Sequence, residues 1–139
     1  MAVTCKWLQK GLEAMGKGLL GDLSSAANDI TVNLVTDSWT PTQQTDASWA
    51  AISANEGSGA GYAAVVLTGK TVTSSALVIK FDADDADFGT CTVTFRYVTV
   101  RKSDYLIGYV DMGENKVYSA SPCKVMWSAT NGWGKITAS

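Results

Sequence analysis

The sequence predicts a mainly β chain, a jelly-roll-like antiparallel β-sandwich with a short N-terminal helix or arm. Three observations predict it. Helical apolar period is confined to the N-terminal segment, the period becomes two from Ile30 onward, and about seven runs rich in β-branched and aromatic residues follow, divided by turn residues. The length agrees with a single domain, residues 1–139, in which residues 1–20 form the helical arm. A chain of this size buries roughly two thirds of its unfolded surface, enough for a core of its own.

In the N-terminal segment Leu8, Leu12, Met15 and Leu19 lie on one helical stripe, with Thr4 as the expected N-cap and Trp7 flanking the stripe. Lys6, Gln9, Lys10, Glu13 and Lys17 fall largely on other faces, and Gly16, Gly18 and Gly21 predict a helix end near residues 17–20. Such a stripe has two destinations: the chain's own core, or a neighbouring subunit reached by a terminal arm.

Ile30, Val32 and Leu34 alternate with Thr31 and Asn33, as in a half-buried strand. Residues 37–61 then read as a long polar connection with one helical turn around Ser48 to Ile52. Connections of that length in compact domains are functional or mobile, and this one carries Trp39 and Trp49, which a solvated loop does not favour. Strands are expected at Tyr62–Leu67, Thr71–Phe81, Thr90–Arg101, Tyr105–Asp111, Lys116–Ser119, Cys123–Ser128 and Trp133–Thr137. Within Thr90–Arg101 the inward set is Cys91, Val93, Phe95 and Tyr97, with Thr92, Thr94 and Arg96 outward. Short strands at this spacing suit a β-sandwich or jelly roll.

Composition narrows the chemistry. The chain has no histidine, which excludes His-dependent triads, imidazole bases and His-ligated zinc. Charged residues are 17%, and the net charge of −2 has no basic clustering, against direct nucleic-acid binding. Cys5, Cys91 and Cys123 are far apart without a CxxC spacing, and read as buried thiols; a single pair is not specified. The first residues lack a basic region followed by a long apolar run, so no signal peptide is expected, and no apolar stretch is long enough to span a membrane.

Four motifs invite a chemical reading. Asp82, Asp84, Asp85 and Asp87 offer carboxylates to a hard cation, but the spacing fails the EF-hand loop, with Ala86, Asp87 and Val93 at its fifth, sixth and twelfth positions. A solvated hairpin tip is the simpler expectation. Glu56, Asp111 and Glu114 stand out only by location as carboxylates for glycoside hydrolysis. The run Glu56–Gly61 lacks the Gly-Lys-Ser/Thr ending of a phosphate loop and reads as a flexible or tightly turning lead into the strand at Tyr62. Trp39, Trp49, Trp127 and Trp133 raise the question of a sugar-stacking platform, against which stands the common use of large aromatics in cores and subunit interfaces. No catalytic, cofactor-binding or metal-binding residue is assigned. The interface candidates are Trp7, Leu8, Leu12, Met15, Trp39 and Trp49.

The order of parts carries a resemblance. Lys10-Gly11-Leu12 and Gly21-Asp22-Leu23 precede the strand Ile30–Thr36; Trp49-Ala50-Ala51-Ile52 and the glycine-rich lead into Gly61-Tyr62 follow. Then come Phe81-Asp82-Ala83-Asp84-Asp85 and Ile107-Gly108-Tyr109-Val110-Asp111-Met112-Gly113. Over most of its length the chain resembles the capsid decoration, or cement, proteins of tailed bacteriophages. The resemblance implies a non-enzymatic virion protein of jelly-roll type, assembled in the host cytoplasm and seated on the outer capsid surface across seams between major capsid subunits. It implies no cofactor, no direct nucleic-acid or membrane contact, and a small homo-oligomer, dimer or trimer. Two other functions remain open at this point: a carbohydrate-binding β-sandwich for host attachment, and a tail or neck component.

Overall fold

The computed structural model describes residues 2–138. The chain is mainly β. In order its elements are β1 (Ala2–Val3), β2 (Lys6–Trp7), α1 (Gln9–Gly16), β3 (Thr31–Val35), α2 (Trp49–Ile52) running into a 3-10 turn (Ser53–Asn55), and β4 (Val65–Val66). There follow β5 (Thr71–Ser75), β6 (Val78–Asp82), β7 (Ala86–Lys102), β8 (Tyr105–Trp127) and β9 (Gly134–Thr137). One sheet has the order β1-β8-β7-β3-β4 with β2 also on β8, and a smaller one has the order β5-β6-β9. The two-sheet, strand-rich build is what the period-two runs predict. This order does not of itself establish the paired Greek keys of a jelly roll.

The large sheet is organised by one long hairpin. β7 and β8 pair antiparallel from Lys102 opposite Tyr105 to Ala86 opposite Val125. The alternation expected for Thr90–Arg101 holds as far as Phe95: Cys91, Val93 and Phe95 are buried in the main core, and Thr92 and Thr94 are exposed. Past the register shift at Phe95/Tyr97, the buried Tyr97 lies on the other face of the sheet. Beyond Tyr97 the strand is buried on both faces, through Val98, Thr99 and Val100, because hydrophobic clusters form on either side of the sheet. The separate strands expected at Tyr105–Asp111, Lys116–Ser119 and Cys123–Ser128 are parts of β8. Residues 112–115 are a bulge in it, inserted where Phe95 opposes Lys116 and Tyr97 opposes Asp111. A bulge bends and twists a strand while pairing continues on either side, so Gly113-Glu114-Asn115, which reads as a turn, curves the hairpin instead.

The N-terminal residues close this curve. β1 runs parallel to the far end of β8, with Ala2 opposite Met126 and Val3 opposite Trp127, and β2 runs antiparallel to its near end, with Lys6 opposite Tyr109 and Trp7 opposite Gly108. The Ser128 N–H donates to the Val3 carbonyl (2.9 Å), and the Cys5 N–H to the Trp133 carbonyl (2.8 Å). The first residues are therefore built into the sheet, which corrects the expectation of an arm free to reach a neighbour. Helix α1 begins after Leu8 rather than after Thr4. Thr4 is not a cap at all; its hydroxyl donates to the Gly132 carbonyl (3.0 Å).

The apolar stripe is only partly buried: Leu8, just before the helix, is fully buried and Met15 packs on the main core, but the innermost positions of α1 are small residues. Gly11 and Ala14 face inward, while Leu12 is 38% exposed and Leu19 46% exposed. Small residues win because the helix lies directly on the β8 backbone: a Cβ at Gly11 would sit 2.7 Å from Ile107 Cα and from two carbonyl oxygens. The expected strand Thr71–Phe81 is two strands, folded back at Ala76 and Leu77, both with positive φ (51° and 66°). Such a turn ordinarily calls for Asn or Gly, so nothing in the residue types announces it. Of the two forms expected for the run Gly57–Gly61, the structure shows the tight turn, with the Tyr62 N–H donated to the Gly59 carbonyl and Gly61 at φ 78°. Cβ atoms at Gly57, Gly59 and Gly61 would collide with β7 near Val93, Thr92 and Thr90, and β4 begins only at Val65.

Close approach at Gly11 yields a test. Gly11→Ala forces backbone apart and is expected to destabilise by about 1–3 kcal/mol or more. Gly16→Ala meets nothing within 4 Å and is expected to leave stability unchanged or raise it by up to about 1 kcal/mol. Urea unfolding of both variants checks this; equal effects would show that the helix does not rest on β8.

Candidate functional site

The structure distributes the predicted interface residues between core and surface. Leu8 is fully buried and Trp39 is 4% exposed, in a cluster with Val35, Ile52, Tyr97, Leu106 and Tyr109. The Trp39 ring meets Tyr97 and Tyr109 edge-on, at 5.3 and 5.8 Å between centroids. These two residues are core rather than interface, because the 37–61 connection folds its indole back over the outer face of the β7–β8 sheet. Trp7 is half-buried, edge-on to Phe81 at 5.2 Å and tilted against Trp133 at 5.9 Å, with its indole N–H donated to the Lys135 carbonyl (2.8 Å). It ties the N-terminal segment to the small sheet. Met15 packs half-buried against the main core, and Trp49 lies half-buried under the Arg101 guanidinium, 4.8 Å from the ring centroid. Of the six candidates, Leu12 alone is exposed.

The sugar-stacking platform is likewise corrected. Trp39, Trp127 and Trp133 are at most 5% exposed, and each packs into a core cluster. Their indoles have no flat face to offer a ring.

The charged motifs are occupied by structural bonds. Asn33, 1% exposed, donates to Glu56 Oε1 (2.7 Å), and the Tyr62 hydroxyl donates to the same oxygen (2.8 Å) while accepting the Leu34 N–H (2.9 Å). Arg101 donates to Asn33 Oδ1 (2.8 Å). Burial pushes the Tyr62 hydroxyl pKa up and draws the Arg101 guanidinium pKa down. This network fastens the end of the long connection to β3 and β7. Asp111 accepts from Arg96 at 3.0 Å, and Glu114 from Lys116 at 2.8 Å. The acidic run is a crossing between the two sheets, not a hairpin tip. Asp84 accepts from the Thr68 hydroxyl, Asp85 from the Trp127 N–H and Asp87 from the Gly89 N–H, so the carboxylates diverge to separate partners. Among the described residues no group of three or more His, Cys, Asp or Glu side chains is placed to share a metal ion. No helix is long and apolar enough to cross a membrane. Cys5, Cys91 and Cys123 are buried free thiols, as expected.

Apolar surface does gather, in three places. The β5–β6 hairpin presents Leu77 (70% exposed) at its tip, with Val72 and Ile79 exposed on one face. Leu19, just after α1, lines a depression with Ala14, Ala47 and Tyr105, bordered by Lys10, Glu13 and Lys17, and Leu12 is exposed on α1 itself. On β8, Val117 is 71% exposed and Met126 is exposed further along. Sequence reasoning named only Leu12 among these as an interface residue. An alternating strand pattern does not say which face is covered, and the Ala76–Leu77 turn has no turn-forming residue. Comparison of the chain with protein-family profiles, curated proteins and solved structures finds no match.

The titratable groups set a pH profile. The Arg96 guanidinium holds Asp111 low, the Ser48 hydroxyl and Ala50 N–H hold Asp104 low, and Lys17 and Lys10 bring Glu13 to about 2. Carboxylates lowered in the folded state contribute stability above their ordinary pKa of about 4 and lose it as pH falls toward the folded value. Burial, with the Cys91 thiol beside it, raises Cys123 to about 12, and burial raises Cys5. Those thiols contribute stability that is lost as pH rises above about 9. With no histidine in between, the melting temperature is expected to be flat from about pH 5 to 8 and to fall on both sides. A step near pH 6–7 in a thermal-melt series would contradict it.

Proposed function

We propose that the chain is a non-enzymatic structural protein of a phage virion, a decoration protein that binds the outer capsid surface and cements neighbouring major capsid subunits. The carrying observation is the distribution of exposed apolar side chains over separate parts of one β framework, chiefly the β5–β6 hairpin, Leu12 and Leu19 at α1 and its end, and β8. A ligand binder concentrates its apolar surface in one cleft; a part that bridges subunits needs several contact surfaces held at fixed separation. Each contact is modest, and repetition over a lattice makes the sum large. The resemblance to phage cement proteins points the same way and supplies the partner, the major capsid protein. The carbohydrate reading loses support, because three of its four tryptophans are core residues.

Binding to capsids of the phage that encodes the chain tests this. Purified protein added to capsids lacking it is expected to bind saturably, at a fixed ratio to the major capsid protein, and to raise the temperature at which shells open. Leu77→Asp and Leu19→Asp are expected to weaken binding at least tenfold with the monomer's melting temperature unchanged. Absence of saturable capsid binding would refute the proposal, as would binding confined to tails or necks.

A further inference from the structure

We infer that β5 is a self-pairing edge, through which two copies of the chain join their small sheets into one continuous six-stranded sheet about a two-fold axis at Thr73. The inference concerns the isolated chain and does not depend on the capsid reading.

An unpaired strand edge is a template for another strand, and folded proteins blunt such edges by shortness, charge, proline, bulges or cover. The other strand edges of this fold are blunted: the outer edge of β8 between its pairings with β2 and β1 carries Lys116, Pro122 and Lys124 and several register shifts. β1, β2 and β4 have two residues each. β9 carries Lys135, and the Trp7 indole donates to that residue's carbonyl. β5 has none of these devices. Thr71-Val72-Thr73-Ser74-Ser75 has no charge, no proline and no register shift against β6, it ends the sheet order, and all five residues are exposed.

Its hydrogen-bonding groups are set out for a copy of itself. The turn at Ala76–Leu77 is closed by Ser75 opposite Val78. In a two-residue hairpin that closing pair exchanges both hydrogen bonds, and bonded pairs then alternate along the ladder. Thr71, Thr73 and Ser75 therefore bond to β6, and Val72 and Ser74 turn their N–H and carbonyl groups to the free edge. An antiparallel copy with Val72 opposite the copy's Ser74, and Ser74 opposite its Val72, satisfies all of these groups at once. Thr73 then faces its own counterpart in a non-bonded pair, and the contact is isologous and closed.

Charge permits the approach. The nearest charged residues are Lys80 on each copy, one strand behind Thr73. At ordinary strand spacing they stand about 14 Å apart across the axis, beyond the Debye length of about 8 Å at physiological salt. On the opposite face the joined sheet aligns Val72, Ile79 and Ile136 of both copies in one apolar band, with Leu77 at the hairpin tips. A five-residue edge buries less than a standard interface, so association of the free chain is weak and concentration-dependent.

Sedimentation of the full chain from about 20 µM to about 1 mM tests the pairing, a range suited to a small interface. The mass is expected to rise from 14.7 kDa toward twice that value. Ser74→Pro removes an outward N–H, and Thr73→Lys sets like charges across the axis; both are expected to stay monomeric with an unchanged melting temperature. Register is read by crosslinking with oxidised glutathione, the native thiols being buried: Thr73→Cys is expected to give a disulfide-linked dimer and Ser75→Cys none. A chain monomeric at 1 mM or about that concentration, a dimer indifferent to both blocking variants, or crosslinking of Ser75→Cys in preference to Thr73→Cys would each overturn the inference.

Discussion

The fold depends on a closure constraint. Residues 2–7 pair with β8 at both of its ends, Lys6 opposite Tyr109 and Ala2 opposite Met126. The residues between those two points of β8 would span well over 50 Å if straight, at about 3.4 Å per residue. The N-terminal segment between its two pairing sites reaches only about 13 Å. The β7–β8 hairpin must therefore curl, and the bulge at residues 112–115 and the register shift between Val93 and Cys91 supply the bends. The segment fits because the chain leaves room for it: a Cβ at Gly134 would meet the Trp7 ring at 2.8 Å, and one at Gly108 the Lys6 carbonyl at 2.7 Å.

Most of the packing follows from that curl. Its concave side gathers Ile30, Val32, Leu34, Val93, Phe95, Val98, Ile107, Val125 and Trp127 into the main core. The other face of the sheet, near Tyr97, Leu106 and Tyr109, is sealed by Trp39 and Ile52 from the long connection. That connection is held by hydrogen bonds from Asn33 and Tyr62 to Glu56. The small sheet is attached at its root, where Phe81 lies against Trp7 and Trp133. Beyond Phe81 it projects with little cover, so its outer residues are available for contact.

Local periodicity was readable where one face alone is buried. Cys91 to Phe95 alternates as expected, and the turn at Ser48–Ile52 appears as α2 with its 3-10 extension. Long-range geometry was not. The apolar stripe suggested that Leu12 faces inward, yet Gly11 and Ala14 take that face of α1, because what lies opposite is backbone, and spacing carries no record of that. The turn at Ala76–Leu77 uses strained residues without turn chemistry, so Thr71–Phe81 read as one strand. For the tryptophans composition left core, subunit interface and sugar platform open, and three of them fill the cores. The exposed hairpin was hidden by the same missing turn. The one signal for it was the uncharged run Thr71–Ser75, unusual for an edge.

Thermal unfolding of the chain lacking residues 2–7 tests closure most directly. If these residues hold the curled hairpin, the truncated chain loses its cooperative transition, or melts far below the intact protein. Cooperative unfolding at the same temperature as the intact chain would contradict the account and return the segment to the status of a detachable arm.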